Sequence, residues 1–176
     1  GRRIALQKCI GVLFDCCMDE PAAAPNLDVA LWLNSDGVAL ADLRGRVVVL
    51  EAFQMLCPAC VNHSLPQAMR VQRTYSNEDL VVVGLHTVFE HHDVTGADAL
   101  AAFVAEFRYT FPIGVDRHDD LADRIPATMR AYALQGTPST VLIDRAGRIR
   151  SSSLGAIDDL TLGTAIGRLL AEPRRD

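Results

Sequence analysis

The sequence predicts an α/β domain, a central mixed β-sheet flanked by helices, with an extra N-terminal helix. Three observations carry this. Two short apolar runs rich in β-branched residues, 47–53 and 80–85, have the composition of strands buried on both faces. Segments with helical apolar spacing alternate with them, which implies parallel strands joined by helical crossovers. Near the C-terminus, Arg145-Ala146-Gly147 separates two strand-like segments, so a hairpin adds antiparallel edges. The length of 176 residues suits one domain, since domains cluster around ~100–200 residues.

In chain order, residues 1–20 read as a short helix with Ile4, Leu6, Ile10, Leu13, Phe14 and Cys17 as its apolar members. Pro21-Ala-Ala-Ala-Pro25 reads as a linker, because both prolines discourage helix across it. Ser35-Asp36-Gly37 is a turn signal, 40–43 a single helical turn, and Arg44-Gly45 a further break. The strand 47–53 follows, then a helix over 58–75 with Val61, Leu65, Ala68 or Met69, and Gln72 on successive turns. The second buried strand is 80–85, and 97–109 is an amphipathic helix presenting Leu100, Phe103, Val104 and Phe107. A short strand at 111–115 precedes a helix over 121–133, bent at Pro126. Strands 139–144 and 148–153 form the hairpin, and a helix over 158–171 closes the chain. The expected order is β-α-β-α-β-α-β-β-α, with 1–25 an N-terminal extension and linker and 26–172 the domain.

Composition narrows the function. With 49% apolar and 22% charged residues, the chain has too much apolar surface to stay disordered. Its longest apolar runs fall far short of the ~20 residues that cross a bilayer. A net charge of −5, with 16 of 17 basic residues being scattered arginines, argues against a nucleic-acid partner. Five cysteines, at 9, 16, 17, 57 and 60, are too few and odd in number for a disulfide-stapled secreted scaffold. Residues 1–20 make no convincing export signal, so the expected location is cytoplasmic, or periplasmic if a signal preceding Gly1 has been removed.

The chemistry concentrates at Cys57-Pro58-Ala59-Cys60, where a buried strand ends and a helix begins. Unpaired N–H groups and the macrodipole at a helix N-terminus favour an anion, hence the thiolate of Cys57. Pro58 suits the first helical position, where a missing N–H goes unnoticed. Cys60 follows one turn later, within reach of a mixed disulfide formed on Cys57, so the spacing supplies a nucleophile and a resolving thiol. The alternatives are two buried structural thiols or half of a zinc site, but there is no second Cys-x-x-Cys and Cys9, Cys16 and Cys17 lack ligand spacing. The three N-terminal cysteines read most simply as small apolar residues on a docked helix. His86, Glu90, His91 and His92 form a polar cluster past the second strand that suits zinc or copper by donor type; a solvated loop is the simpler reading, and no metal site or cofactor is expected.

The chain resembles the thioredoxin-like superfamily, and within it the redoxin branch of thiol–disulfide oxidoreductases and peroxiredoxin-like proteins. The matching segments are Asp42-Leu43-Arg44-Gly45-Arg46-Val47-Val48-Val49-Leu50, Phe53-Gln54-Met55-Leu56-Cys57-Pro58-Ala59-Cys60, and Gly136-Thr137-Pro138-Ser139-Thr140-Val141-Leu142-Ile143-Asp144 with the following turn; together they span about residues 27–171. The resemblance implies a thioredoxin-like fold and a cis Pro138 beside the cysteines, although local chemistry alone favours trans. Such a bond would leave the Thr137 backbone free to pair with an extended substrate. It also implies a role for His63, three residues after Cys60, where several members carry a Glu regarded as a proton shuttle; imidazole is suited to that work near neutral pH. Two departures stand out. The aromatic residue common before the first cysteine is replaced by Gln54-Met55-Leu56, the sole Trp being Trp32. Peroxiredoxins carry a Thr three residues and a Pro seven residues before their reactive cysteine; here Gln54 and Leu50 stand there, and the missing Thr hydroxyl that would orient a peroxide weighs against a peroxidase. The expected activity is thiol–disulfide exchange between a protein or small-molecule disulfide and a thiol electron donor; the rivals are a thiol peroxidase and a redox-sensitive or metal-binding module. The N-terminal extension is the expected contact of a homodimer.

Overall fold

In the computed structural model, which describes residues 21–118 and 125–174, the two Val-rich runs lie side by side at the centre of a six-stranded mixed sheet. The strands are β1 (Val29–Leu33), β2 (Val47–Phe53), β3 (Leu80–His86), β4 (Ile113–Asp116), β5 (Ser139–Ile143) and β6 (Ile149–Leu154). Their order is β1-β4-β3-β2-β5-β6. The β2–β3 and β3–β4 pairs are parallel, and β1–β4, β2–β5 and β5–β6 antiparallel. The helices are α1 (Leu65–Thr74), α2 (Ala97–Glu106), α3 (Ala127–Ala131) and α4 (Asp159–Ala171). The expected N-terminal helix, its cysteines and its dimer contact lie outside the described residues.

Side chains alternate across a strand, so β2, buried at every position, feeds two cores. Val47, Val49 and Phe53 pack with Leu65 and Val71 behind Cys60, Leu100 of α2, and Ile166 of α4. Val48, Leu50 and Ala52 pack on the opposite face with Leu40 and Leu43 of a 3-10 turn, Met129 of α3, and Tyr132. Each fully buried Leu, Val or Phe stabilises by roughly 1.5–3 kcal/mol, which makes this central strand the anchor for whatever its end presents. Gly84 on β3 is fixed by crowding: a Cβ there would meet Ile113 and Phe111 at 3.0 Å.

Several expected boundaries move for local reasons. Strand β1 was not expected. It is an outer strand, partly exposed and bulged near Ala30, so its apolar residues do not alternate cleanly. Helix α2 stops at Glu106 instead of 109 because Arg108 turns left-handed (φ 56°) and the Tyr109 N–H returns to the Val104 carbonyl at 3.1 Å. Pro126 does not bend a helix but starts one, extended at the N-cap of α3; residues 121–124 of the expected helix lie outside the described residues. The stretch 21–25 is not a free linker. Ala24 N–H donates to Gly147, Ile149 N–H to Ala22, and the Tyr132 hydroxyl to Pro25 at 2.7 Å.

A candidate redox site at the end of the central strand

Strand β2 releases the chain at Gln54, whose carbonyl accepts the Cys57 N–H at 3.1 Å. Helical backbone begins at Pro58, and the Val61 N–H returns to the Cys57 carbonyl at 3.0 Å, which makes Cys57 the helix cap. The Cys60 N–H then donates to Cys57 Sγ at 3.3 Å. A cap oxygen of Ser or Asp would normally take that bond; with sulfur there, the bond strengthens when the thiol ionises. On its other side Cys57 Sγ donates to the Thr137 carbonyl at 3.6 Å, and the Thr137–Pro138 bond is cis. Cys57 Sγ therefore lies between a helix N-terminus and the cis-proline loop that leads into β5.

The two thiols, both reduced, are unequal. Cys57 is half-buried, whereas Cys60 is fully buried. Burial first, then the neighbouring Cys57 sulfur, pushes the Cys60 thiol up to about 12. At neutral pH Cys60 thus keeps its proton, and only Cys57 offers an accessible sulfur.

Beyond Cys60 the helix widens into a π-helical turn, Cys60–Ser64, closed by the Leu65 N–H on the Cys60 carbonyl. Pro66, which lacks an N–H, falls just after it. His63 lies on this turn, and its Nε2 donates to the Ile157 carbonyl at 2.8 Å; Gln67 donates to that same carbonyl and to Asp159, which also takes Arg70. The structure therefore ties His63 to the start of α4 and gives it no hydrogen bond to either thiol.

Sequence reasoning overlooked Glu51. It lies on β2, six residues before Cys57, and is 2% exposed. Its Oε2 accepts from the Thr140 hydroxyl of β5 at 2.8 Å, and the buried Ser64, at the end of the π turn, is its other polar neighbour. Burial outweighs both hydroxyls and pushes the carboxyl up from 4.5 to about 7. The signal was available: one carboxylate in a run otherwise apolar, adjacent to a Cys-x-x-Cys. Gln54, the substituted aromatic position, is buried too, and its Oε1 accepts the Phe89 N–H at 3.3 Å. That bond holds the loop after β3 against the cysteines, and a cleft of about 300 Å³ opens there between Cys57, Thr137, Phe89, Glu90 and His91.

The four-residue polar cluster divides. His86 ends β3, is 1% exposed and has neither ring nitrogen hydrogen-bonded; burial lowers it to about 4. Glu90 and His91 lie exposed, 3.8 Å apart, and His92 meets His118 edge-on. Among the described residues, no group of three or more His, Cys, Asp or Glu side chains is arranged to hold a metal. Nor is any described helix long and apolar enough to cross a membrane.

Solved structures share this fold. A thioredoxin-like superfamily protein is 46% identical and superposes with a TM-score of 0.84, over 88% of this chain and 99% of the other. A thiol-disulfide isomerase from Corynebacterium glutamicum is 51% identical with a TM-score of 0.82, covering 85% and 98%. The fold is thioredoxin-like. Among curated proteins, NHL repeat-containing protein 2 of Gallus gallus is 35% identical over 86 residues, 47% of this chain, which spans 11% of that protein's length. The Redoxin family model matches residues 21–165, from the bridge between Ala23 and Arg148 through the cysteine turn and the cis-proline loop into α4. The chain belongs to the Redoxin family.

Proposed function

We propose that this protein is a thiol–disulfide oxidoreductase in which Cys57 is the nucleophile and Cys60 the resolving thiol. The inequality of the pair carries the reading: an accessible sulfur capping a helix, beside a buried thiol held protonated. The Cys57 thiolate attacks a substrate disulfide, forming Cys57–S–S–R and releasing the other half as thiolate. Cys60 then gives up its proton and attacks Cys57 Sγ, closing the Cys57–Cys60 disulfide and releasing the second thiolate. A thiol electron donor returns the pair to the dithiol; run backwards, the same steps oxidise a substrate.

Two groups are suited to take the Cys60 proton. Glu51 titrates at about 7 in the interior beside Ser64. His63 shares the π turn with Cys60, its Nε2 anchored on Ile157. The Thr137 carbonyl, which takes the Cys57 thiol proton in the reduced state, faces the site where an extended substrate would pair along the cis-proline loop. Peroxide chemistry has less support, since the side-chain oxygen at the position of the peroxide-orienting Thr belongs to Gln54 and is occupied by the Phe89 N–H.

The test is trapping. Cys60→Ser should accumulate reducible mixed disulfides through Cys57 on non-reducing gels, and Cys57→Ser should not. Equal adducts from both variants would show that the nucleophile is misassigned.

A further inference from the structure

The cleft beside Cys57 has a distinct chemistry. Leu56, immediately before the reactive cysteine, is 54% exposed, and Phe89 forms the facing wall, half-buried. Two bonds brace that wall: Gln54 Oε1 accepts the Phe89 N–H, and His118 Nε2 donates to the Val88 carbonyl at 2.6 Å. On the cis-proline side, Leu154 is 60% exposed opposite Ser139, with Gly155 N–H bonded to the Pro138 carbonyl. Apolar side chains left in water around a nucleophile mark a contact surface. At the rim stands the Glu90 carboxylate, solvent-exposed, on a chain of net charge −5.

We propose that this cleft selects protein disulfides that carry an apolar residue and a basic one beside the cysteine, the apolar side chain seated between Leu56 and Phe89 and the basic one at Glu90. The proposal rests on the reading of Cys57 as nucleophile and specifies its substrate class. The cleft's volume of about 300 Å³ holds one or two side chains, the small end of the range for ligand sites. An anionic small-molecule disulfide such as that of glutathione would bring carboxylates against Glu90. The aromatic wall missing ahead of the first cysteine is thus supplied by the loop after β3, with Gln54 as the positioning residue that ties the two together.

The experiment measures kcat/KM of the full chain on peptide disulfides that differ at two positions beside the cysteine, Leu or Ser and Arg or Glu. Glutathione disulfide and a neutral small disulfide are run alongside. Low salt leaves the exposed Glu90 carboxylate unscreened. The Arg peptide should react roughly two- to five-fold faster than the Glu peptide, as expected for an exposed charge pair. The gap should shrink at high salt, vanish in Glu90→Gln and reverse in Glu90→Lys. The advantage of Leu over Ser should fall in Phe89→Ala. Equal rates on Arg and Glu peptides, a preference that survives Glu90→Lys, or glutathione disulfide outrunning the Arg peptide would overturn the proposal. No Cys57-dependent exchange with any of them, the neutral disulfide included, would overturn the oxidoreductase reading itself.

Discussion

Replacing Glu51 by Gln should make the protein more stable at alkaline pH and leave it unchanged in acid. The folded carboxyl titrates at about 7 against 4.5 for its ordinary value. A group whose pKa is raised by folding contributes stability that is fully present below the unfolded value and is lost as pH climbs through the folded one. The loss from this displacement is about 3 kcal/mol at pH 8, with most of the change between pH 4.5 and 7. Gln keeps the geometry: its carbonyl can accept the Thr140 hydroxyl that Glu51 Oε2 accepts at 2.8 Å, and its amide replaces the other carboxylate oxygen beside Ser64. The expected gain at pH 8 is therefore about 3 kcal/mol, or about 6–12 °C in Tm for a domain of this size.

His86 makes the wild-type profile misleading by itself. Its imidazole is lowered from 6.5 to about 4, so its contribution is present above pH 6.5 and lost as pH falls towards 4, by about 3 kcal/mol. The two terms oppose each other and largely cancel, leaving wild-type stability nearly flat from pH 4 to 8 as far as these groups decide it. Glu51→Gln removes one of them, and the His86 loss then stands exposed on the acid side. The assay is urea unfolding under constant reductant from pH 4 to 8.5, read as the difference between variant and wild type. A difference of equal size at pH 4.5 and pH 8 would refute the reasoning, since it would show that Glu51 does not titrate inside the fold.

Three further outcomes are expected. His63→Ala should slow disulfide exchange near pH 7 by about 10- to 100-fold; His63→Gln, which can still donate to the Ile157 carbonyl, separates the roles, since rescue by Gln would mean that His63 only holds the π turn in place. Gly84→Ala should destabilise by about 1–3 kcal/mol in thermal melts, because its Cβ would meet Ile113 and Phe111 at 3.0 Å. Deleting residues 1–25 should leave a folded, redox-active domain, less stable by about 2–4 kcal/mol than one lacking only 1–20, since it loses the bonds of Ala22, Ala24 and Pro25 to Ile149, Gly147 and Tyr132; an unfolded 1–25 deletion would show that the segment completes the core.

The central strands were readable because burial on both faces leaves an unbroken apolar run, and 47–53 and 80–85 have one. The cysteine turn was readable because strand end, Pro58 and Cys spacing agree locally. Strand β1 was missed because an outer strand needs an apolar pattern on one face only, and a bulge breaks it. The π turn was invisible because a continuous helix explains the spacing of Val61 and Leu65 as well; only Pro66 hinted otherwise, and His63's anchor comes from Ile157, far along the chain. The cleft brings Phe89 and Glu90 to Cys57 through a bond from Gln54, a pairing that no local pattern encodes. His86 resembles the loop residues that follow it in sequence, yet it is the last, buried residue of β3.

Glu51 and Cys60 are best understood together. An apolar residue at position 51 would extend the run of β2 and relieve the protein of an ionisable group in its core, a gain in stability at neutral pH. The carboxyl instead sits where burial holds it near 7 and where Thr140 and Ser64 are its polar neighbours. Cys60 is likewise pushed in the direction that keeps its proton, to about 12. In the proposed reaction, resolution of a mixed disulfide on Cys57 requires that proton to leave. A buried carboxyl whose proton affinity matches neutral pH is suited to receive it, while the half-buried Cys57 needs no comparable partner because its sulfur already caps the helix. The stability lost at β2 and the reactivity expected at Cys57 therefore trace to one cause: placing ionisable groups where burial is the largest influence on which of them holds a proton.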